Sequence, residues 1–277
     1  MNMIFSIAAS FMPLLISTIA VLLSEYAGRT IFFMDGLITL SAFICYAASV
    51  LTGSFAVGII FSILIPLVFV FIISFCMEKF NFNYFIVSLA QNVFLLSLVS
   101  VLSALIFKNR GVLVAPNFAF TQTQFRVASI AAGALVIILS AVFFNRTKSG
   151  TYLKITGSDA DVLLSCGVNP MKYRVLSWLL ASVLGSLCGI ILLMRLSSFV
   201  PGISSGIGWA SLAIVFLGRK NITGCVLMAV LFGLSQFAAN NIQNIELFKN
   251  IPSAVLLGLP YIISILFLLF IPSKKNN

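Results

Sequence analysis

The stretch NRTKSGTYLKITGSDADVLLSCGVNPMKYR, residues 145–174, is the one long polar interval in an otherwise strongly apolar sequence. Ser158, followed by two acids, predicts a helix N-terminus, because the first backbone N–H groups of a helix lack intrahelical partners. Gly167 ends that helix, and Asn169 with Pro170 begins a long apolar one. The stretch therefore predicts a short helix, a turn and the start of a spanning helix, which together form a docking surface.

Composition predicts the class of protein. The sequence is 61% hydrophobic and 8% charged, whereas an ordinary soluble domain has about 25% charged residues. This predicts an all-α polytopic membrane protein with about eight or nine transmembrane helices in a single domain over residues 1–277. The net charge of +10 does not indicate nucleic-acid binding, because the basic residues lie in short loops without an aromatic-interleaved basic face.

Cysteine, histidine and acid usage indicate that the chain is not an enzyme. The sequence has no His and five scattered Cys, which excludes Ser-His or Cys-His catalysis and gives no spacing for a metal site or a disulfide framework. The six acids are also spread along the chain, so no carboxylate pair offers acid–base chemistry. We expect no metal and no cofactor on this chain.

Apolar runs divide the chain into expected membrane spans, since roughly 20 apolar residues cross the hydrocarbon core. The first run lacks a basic start and a cleavage site, so we interpret it as a retained helix. The expected spans are residues 4–23, 31–51, 55–76, 84–107, 127–144, 175–194, 225–238 and 251–271.

Residues 198–218 break this pattern. A Ser-, Gly- and Pro-rich segment containing Gly206 and Gly208 precedes a mostly apolar run of only nine residues, 209–217. Such a segment is too short to cross alone and predicts a broken or re-entrant helix inside protein. Broken helices in transporters present unpaired N–H groups to polar substrates. If the segment crosses the membrane, the chain makes about nine passes. If it enters and leaves the membrane on the same side, the C-terminus lies on the opposite side from that in the nine-pass arrangement.

Three polar side chains inside expected spans are candidates for a substrate pathway. Asp35, beside Gly36, is costly in a membrane unless it faces protein, water or a headgroup, so it is either functional or an interfacial acid one turn inside. Gln91 and Asn92 need partners as well. They either bond a neighbouring helix or line a polar pathway.

The distribution of basic residues predicts the orientation. If residues 146–174 face the cytoplasm, alternation of the spans places eleven of the sixteen Lys and Arg residues on that side. This obeys the positive-inside rule and puts the N-terminus outside. The count assumes that the broken helix crosses the membrane.

Several motifs resemble the permease subunits of bacterial ABC importers of the branched-chain amino acid, ribose and nucleoside type. Among these, the sequence is most similar to the smaller permease of nucleoside importers that depend on a basic membrane lipoprotein. The motifs span residues 24–240: SEYAG (24–28), DG (35–36) followed by Ala42, Asn92, RTKSG (146–150), Gly157, GVN (167–169), YR (173–174), SFVPG (198–202), GIG (206–208) and GR (218–219).

The sequence departs from this family's pattern at a few positions. Ile31 and Phe33 replace the usual Asn and Gly before the acid, and the acid itself is Asp35 rather than Glu. Ser41 stands where Gly is common, and Ser158-Asp159-Ala160 replaces Glu-Asn-Pro. The changes around Asp35 make that region bulkier and less polar, so they affect substrate identity more than the loop changes do.

The resemblance implies an importer subunit in the bacterial cell (inner) membrane whose energy comes from another chain, since no G-x-x-x-x-G-K-[ST] motif occurs here. The implied partners are a cytoplasmic ABC ATPase that holds ATP and Mg, a second permease that makes a heterodimer or homodimer, and an extracellular or periplasmic substrate-binding lipoprotein. Nucleosides are the expected substrate. The alternatives are ribose-type sugars, branched-chain amino acids or, from another class, an ion-coupled secondary transporter.

Two sets of candidate residues follow from the resemblance and the residue chemistry. The first set lies on the expected substrate pathway: Asp35, Gly36, Gln91, Asn92, Gly206 and Gly208. The second set lies in residues 146–174, the expected cytoplasmic coupling loop that receives the ATPase. Within this loop we expect a coupling helix over residues 159–166. The candidate residues of the loop are Gly157, Ser158, Asp159, Asp161, Gly167, Asn169 and Pro170.

Overall fold

The computed structural model describes residues 2–115 and 118–242, and this part of the chain folds into ten helices. Its only β-type contact is a single antiparallel bridge between Leu113 and Phe199. The expected span 251–271, and residues 243–250 of the loop before it, lie outside the described residues. The helices are α1 (Asn2–Tyr26), α2 (Met34–Thr52), α3 (Phe55–Lys79), α4 (Tyr84–Phe107), α5 (Gln122–Arg146), α6 (Lys148–Ser158), α7 (Ala160–Ser165), α8 (Pro170–Leu196), α9 (Ile207–Leu217) and α10 (Ile222–Ile242).

The predicted fold class, an all-α polytopic membrane protein, is confirmed. Six helices are long and apolar enough to cross a membrane, namely α1, α2, α3, α4, α5 and α8, and α9 and α10 add shorter apolar segments. α2 lies at the centre of the bundle, with 83% of its apolar window buried, whereas the corresponding windows of α3, α4 and α5 are only 22–28% buried. The outer helices therefore leave broad apolar faces for lipid or another chain.

Two glycines of α8 bring its backbone against α2, as the four-residue spacing of Gly185 and Gly189 predicts. A Cβ at Gly189 would lie 2.5 Å from the carbonyl oxygen of Ile38, and it would overlap the Ser41 hydroxyl. A Cβ at Gly185 would overlap the Leu37 side chain. This close approach fixes α2 against α8, and α8 is the helix that follows the polar interval.

The connectors gather at two ends of the bundle. At one end, Glu78 forms ion pairs with Arg29 and Arg174, and Lys220 forms an ion pair with Glu25. We call this end the polar end. At the opposite end, which we call the aromatic end, Phe120 N–H donates to Ser197 Oγ at 3.0 Å, and the Phe55 and Phe120 rings lie 4.7 Å apart. The predicted alternation is confirmed for these connectors.

The broken helix crosses between these two ends. Phe199 exchanges two backbone hydrogen bonds with Leu113 at the aromatic end, whereas Lys220 Nζ lies 2.5 Å from Glu25 Oε1 at the polar end. The chain passes the centre in a turn-rich segment over residues 198–206 and becomes helical at Ile207. The crossing alternative is therefore the one that the structure supports. One boundary differs, because residues 240–242, expected in a loop, extend α10 instead.

Replacing Gly189 with Ala should destabilise the protein by about 1–3 kcal/mol, because the added methyl group overpacks the α2–α8 contact. A control is Gly53→Asn, where no atom lies within 4 Å of the Cβ position and Asn tolerates the left-handed backbone. The measurement is the thermal unfolding midpoint in detergent. A Gly189→Ala midpoint equal to that of Gly53→Asn would contradict the packing assignment.

Candidate functional site

The polar interval contains one helix more than its sequence predicts. Thr147 caps α6 by accepting a hydrogen bond from Gly150 N–H at 3.1 Å, and α6 continues to Ser158. The prediction that Ser158 is an N-cap is wrong, because this residue is the last of α6. Asp159 has an extended backbone and caps α7 instead, since its Oδ1 accepts from Asp161 N–H at 3.0 Å. α7 therefore begins one residue later than the sequence predicts, and Asp159 rather than Ser158 is its N-cap.

The other helix end and helix start predicted in the polar interval are confirmed. Gly167 has a φ of +73° with open space around its Cβ position, so it provides the left-handed turn after α7. Asn169 Oδ1 accepts from Met171 N–H at 2.9 Å, and Pro170 is the first residue of α8. The expected coupling helix over residues 159–166 matches α7 together with its two capping residues.

This turn and helix present an unusual surface at the polar end. In α7, Val162 and Leu164 are 47% and 58% exposed, whereas Leu163 is buried. The exposed Val162 and Leu164 side chains lie beside the exposed Asp161. The residues predicted for coupling are exposed as well, with the exception of Pro170: Gly157, Ser158, Asp159, Asp161, Gly167 and Asn169.

The interval also contacts the α1–α2 connector directly. A Cβ at Gly157 would lie 2.8 Å from Gly28 N and would overlap the Tyr26 carbonyl oxygen. Gly28 itself has a φ of +69° and turns the chain at this point. The end of α6 therefore rests backbone to backbone on the connector, and only glycine fits there.

The candidates for the substrate pathway form a buried polar cluster. The Asp35 carboxylate, in a residue that is 8% exposed, accepts from Gly208 N–H at 2.8 Å. Gly36 N–H donates to Asn92 Oδ1 at 2.7 Å. Ser204 interacts with Asp35 and accepts a hydrogen bond from the Thr39 hydroxyl at 3.2 Å. The cluster joins α2 to α4 and to the start of α9.

Two glycines allow this cluster to form. A Cβ at Gly208 would lie 2.6 Å from Asp35 N, and a Cβ at Gly36 would lie 2.7 Å from Asn92 O. Gly206 caps α9 in the left-handed conformation, with a φ of +79°. The expectation of unpaired N–H groups at this helix start is wrong for its first two residues, because Ile207 N–H donates to Ser204 O and Gly208 N–H to Asp35.

The cluster lies deep in the bundle. Asn92 follows the start of α4 by eight residues, which is about 12 Å at the helical rise of 1.5 Å per residue. Residues 30–33 carry the connector inward before α2 begins, and Ile31 and Phe33 are fully buried. The structure thus places Asp35 well inside the protein and not at an interfacial position one turn from the polar end.

Gln91 differs from its neighbour Asn92. It is 3% exposed, and neither its amide oxygen nor its amide nitrogen has a hydrogen-bond partner among the described residues. Five of the six pathway candidates therefore come together in one cluster, and Gln91 stands beside them with its amide unpaired. An unpaired buried amide is costly. Gln91 is the pathway candidate whose amide oxygen and nitrogen can both still form hydrogen bonds.

Sequence reasoning missed the acids of the polar end. Glu78 lies between Arg29 Nε at 2.6 Å and Arg174 Nη1 at 3.1 Å. Glu25 accepts from the Thr30 hydroxyl in addition to its ion pair with Lys220. The available signal was the position of Glu78 at the end of an apolar run, among basic residues that outnumber the acids on that side.

The helix bundle, with a capped surface helix at one end and a buried acid holding a broken helix, is that of a multi-pass membrane protein. The chain belongs to the family described as branched-chain amino acid transport system / permease component, whose model matches residues 3–263. This membership, with the apolar helices described above, places it among the multi-pass proteins of the bacterial cell membrane.

Similar proteins of assigned role are ABC permeases. The chain is 33% identical over 150 residues to the nucleoside ABC transporter permease protein NupC of Lactococcus lactis, which covers 54% of this chain and 46% of that protein. It is 29% identical over 141 residues to the guanosine ABC transporter permease protein NupQ of Bacillus subtilis, covering 50% and 44%. The ribose import permease protein RbsC of Escherichia coli matches at 29% over 90 residues, covering 32% and 28%.

The chain thus spans about half the length of the nucleoside permeases that it matches. Among solved structures, PsaBC from Streptococcus pneumoniae in complex with Fab has a TM-score of 0.54 and 17% sequence identity. That comparison covers 97% of this chain and 92% of the other chain. It supports the fold.

Replacing Asp35 with Ala should destabilise the protein by about 1–3 kcal/mol, because the buried Gly208 N–H loses its acceptor. Asp35→Asn keeps an acceptor oxygen and should lose less. Thermal unfolding midpoints of detergent-purified variants check this order. An Ala variant as stable as wild type would mean that the carboxylate does not hold the broken helix.

Proposed function

We propose that this chain is a membrane-spanning permease subunit of an ATP-driven ABC importer that translocates nucleosides. The observation that carries the proposal is the similarity to permeases named for nucleosides and guanosine, in a chain whose family model covers residues 3–263. The exposed apolar face of α7 supports a partner that binds at the polar end.

The partner at the polar end is a cytoplasmic ABC ATPase, which holds ATP and Mg. Residues 146–174 form the coupling loop and face the cytoplasm, as the charge distribution predicts. α7 inserts Val162 and Leu164 into the ATPase, since removing exposed apolar side chains from water favours association. The exposed capping residues Asp159, at the start of α7, and Asn169, at the start of α8, keep these two helix starts rigid while it does so.

Two further partners complete the transporter. A second permease forms a heterodimer with this chain through apolar faces left open on the outer helices, and a substrate-binding lipoprotein delivers the nucleoside at the aromatic end. The single domain over residues 1–277 supplies one wall of the pathway between the permeases.

The buried cluster frames that pathway. Asp35, Gly36 and Asn92 hold the start of α9 through Gly208, so they set the position of the broken helix. Gln91 has an unpaired amide, and a nucleoside carries hydroxyl and base groups that pair with an amide. Translocation then depends on how Asp35, Gly36 and Asn92 move the start of α9 when the ATPase closes.

A sugar substrate is the second candidate, because the ribose import permease matches over 90 residues. The uptake of labelled guanosine, ribose and leucine by cells that lack this chain distinguishes the two. We expect guanosine uptake to fall and to recover when the chain is restored from a plasmid. Lost ribose uptake with unchanged guanosine uptake would overturn the nucleoside assignment.

Replacing Leu164 with Asp should abolish copurification with the ATPase, because burial of a Leu side chain contributes about 1.5–3 kcal/mol and an unpaired carboxylate is costly to bury in its place. Thr151→Asp is the matched control, since Thr151 is an exposed residue of α6 and the change adds the same charge outside α7. Equal copurification of both variants would show that α7 is not the docking helix.

A further inference from the structure

We propose that Glu78, held between Arg29 and Arg174, is a positioning residue that transmits movement of the docking surface to the broken helix. We call these three residues the charge triad. The proposal rests on the proposed function, because it presupposes an ATPase that moves α7. The proposal adds a route by which movement of α7 reaches the start of α9, through contacts between residues that are far apart in the sequence.

The geometry of the triad joins three elements. Glu78 lies next to the last residue of α3, and its side chain is 4% exposed. One carboxylate oxygen accepts from Arg29 Nε at 2.6 Å and the other from Arg174 Nη1 at 3.1 Å. Because hydrogen bonds between charged groups are short and directional, both arginines are held in a fixed orientation by one buried acid.

Arg174 provides the link to the docking surface. It lies about one helical turn after Pro170, at the start of α8, and α8 begins just after the Gly167 turn that ends α7. Movement of α7 therefore reaches Arg174 through four residues of chain, 166–169, and one turn of helix. Among the described residues, the contact with Glu78 is the one ion pair of Arg174, and its buried Nε has no hydrogen-bond partner there.

Arg29 provides the link to the centre of the bundle. Its carbonyl oxygen accepts from Trp178 Nε1 at 2.8 Å, one turn beyond Arg174 on α8. Its guanidinium group lies 5.2 Å from the centre of the Tyr84 ring at the start of α4. The connector that carries Arg29 is thus clamped to α8 twice, once through Trp178 and once through Glu78.

The route continues from the connector to the broken helix. The Phe33 ring packs edge-on against Trp178 with centroids 5.1 Å apart, and Asp35 follows two residues later. The Asp35 carboxylate holds Gly208 at the start of α9. Each step from α7 to α9 is therefore a short chain segment, a buried hydrogen bond or a packed ring pair.

The triad is built so that one contact opens while the acid stays neutralised. Glu78 has two cationic partners, and the contact with Arg174 is the longer of the two. If α8 draws Arg174 away, Arg29 still compensates the buried carboxylate, which avoids the high cost of an unpaired buried charge. In the proposed mechanism the triad alternates between this arrangement and one in which the Arg174 contact is open, and movement at either end biases the balance between the two.

The test measures coupling in the assembled complex of both permeases and the ATPase, reconstituted in proteoliposomes with the lipoprotein and labelled guanosine. Arg174→Gln leaves the Arg29–Glu78 pair intact and severs only the α8 contact. We expect the ratio of guanosine transported to ATP hydrolysed to fall about fivefold or more, the low end of usual coupling between sites. Glu78→Gln, which removes both ion pairs, should lower the ratio at least as much.

Lys79→Gln is the matched control, because Lys79 is exposed beside Glu78 and the change removes one positive charge, as Arg174→Gln does. Its ratio should equal that of wild type. An unchanged ratio in both triad variants overturns the proposal. Less assembled complex with an unchanged ratio overturns it too, because the triad is then purely structural. Failure of the proposed function is distinguishable, since the wild-type complex would then transport no guanosine.

Discussion

The hydrogen bond from Gly208 N–H to the Asp35 carboxylate is the constraint on which the centre of this protein depends. It places the first turn of the broken helix against the start of α2, about midway along the route between the two ends of the bundle. A broken helix inside a membrane protein must have its backbone groups satisfied by protein, because lipid offers no partners. Asp35 and the Ser204 carbonyl meet that requirement for the first N–H groups of α9.

Glycine residues allow the segments around this hydrogen bond to approach one another closely. Gly36, Gly189 and Gly208 each lie against the backbone of another segment, and Gly157 does the same at the polar end. These positions tie α2, α4, α8, α9 and the α1–α2 connector together without intervening side chains. Because such packing is close to rigid, a displacement at one contact is passed on to its neighbours rather than absorbed.

The parts of the fold that depend on local chemistry were predictable. Apolar runs gave the spanning helices, and Gly167, Asn169 and Pro170 gave the end of α7 and the start of α8, because caps act on adjacent backbone groups. α6 was missed because its polar residues resemble a loop, and its cap Thr147 lies just after the last turn of α5. The glycine spacing in α8 predicted close packing but not that α2 is the partner.

The contacts between distant residues could not be predicted in this way. Glu78 is separated from Arg29 by 49 positions and from Arg174 by 96, and nothing in a single sequence links residues so far apart. Family resemblance drew attention to Asp35, Asn92 and Gly208, yet it did not reveal that they bond to backbone and hold a helix in place. That role emerges only from the packing of α2, α4 and α9 against one another.

The central claim is that movement at α7 reaches the start of α9. The most direct measurement is the distance between spin labels on the exposed native Cys166 and on a Ser205→Cys variant, with Cys76 replaced by Ser, in the assembled transporter. The account predicts that the distance distribution shifts when a non-hydrolysable ATP analogue closes the ATPase. A distribution that is the same with and without nucleotide, in a complex that transports guanosine, would contradict it.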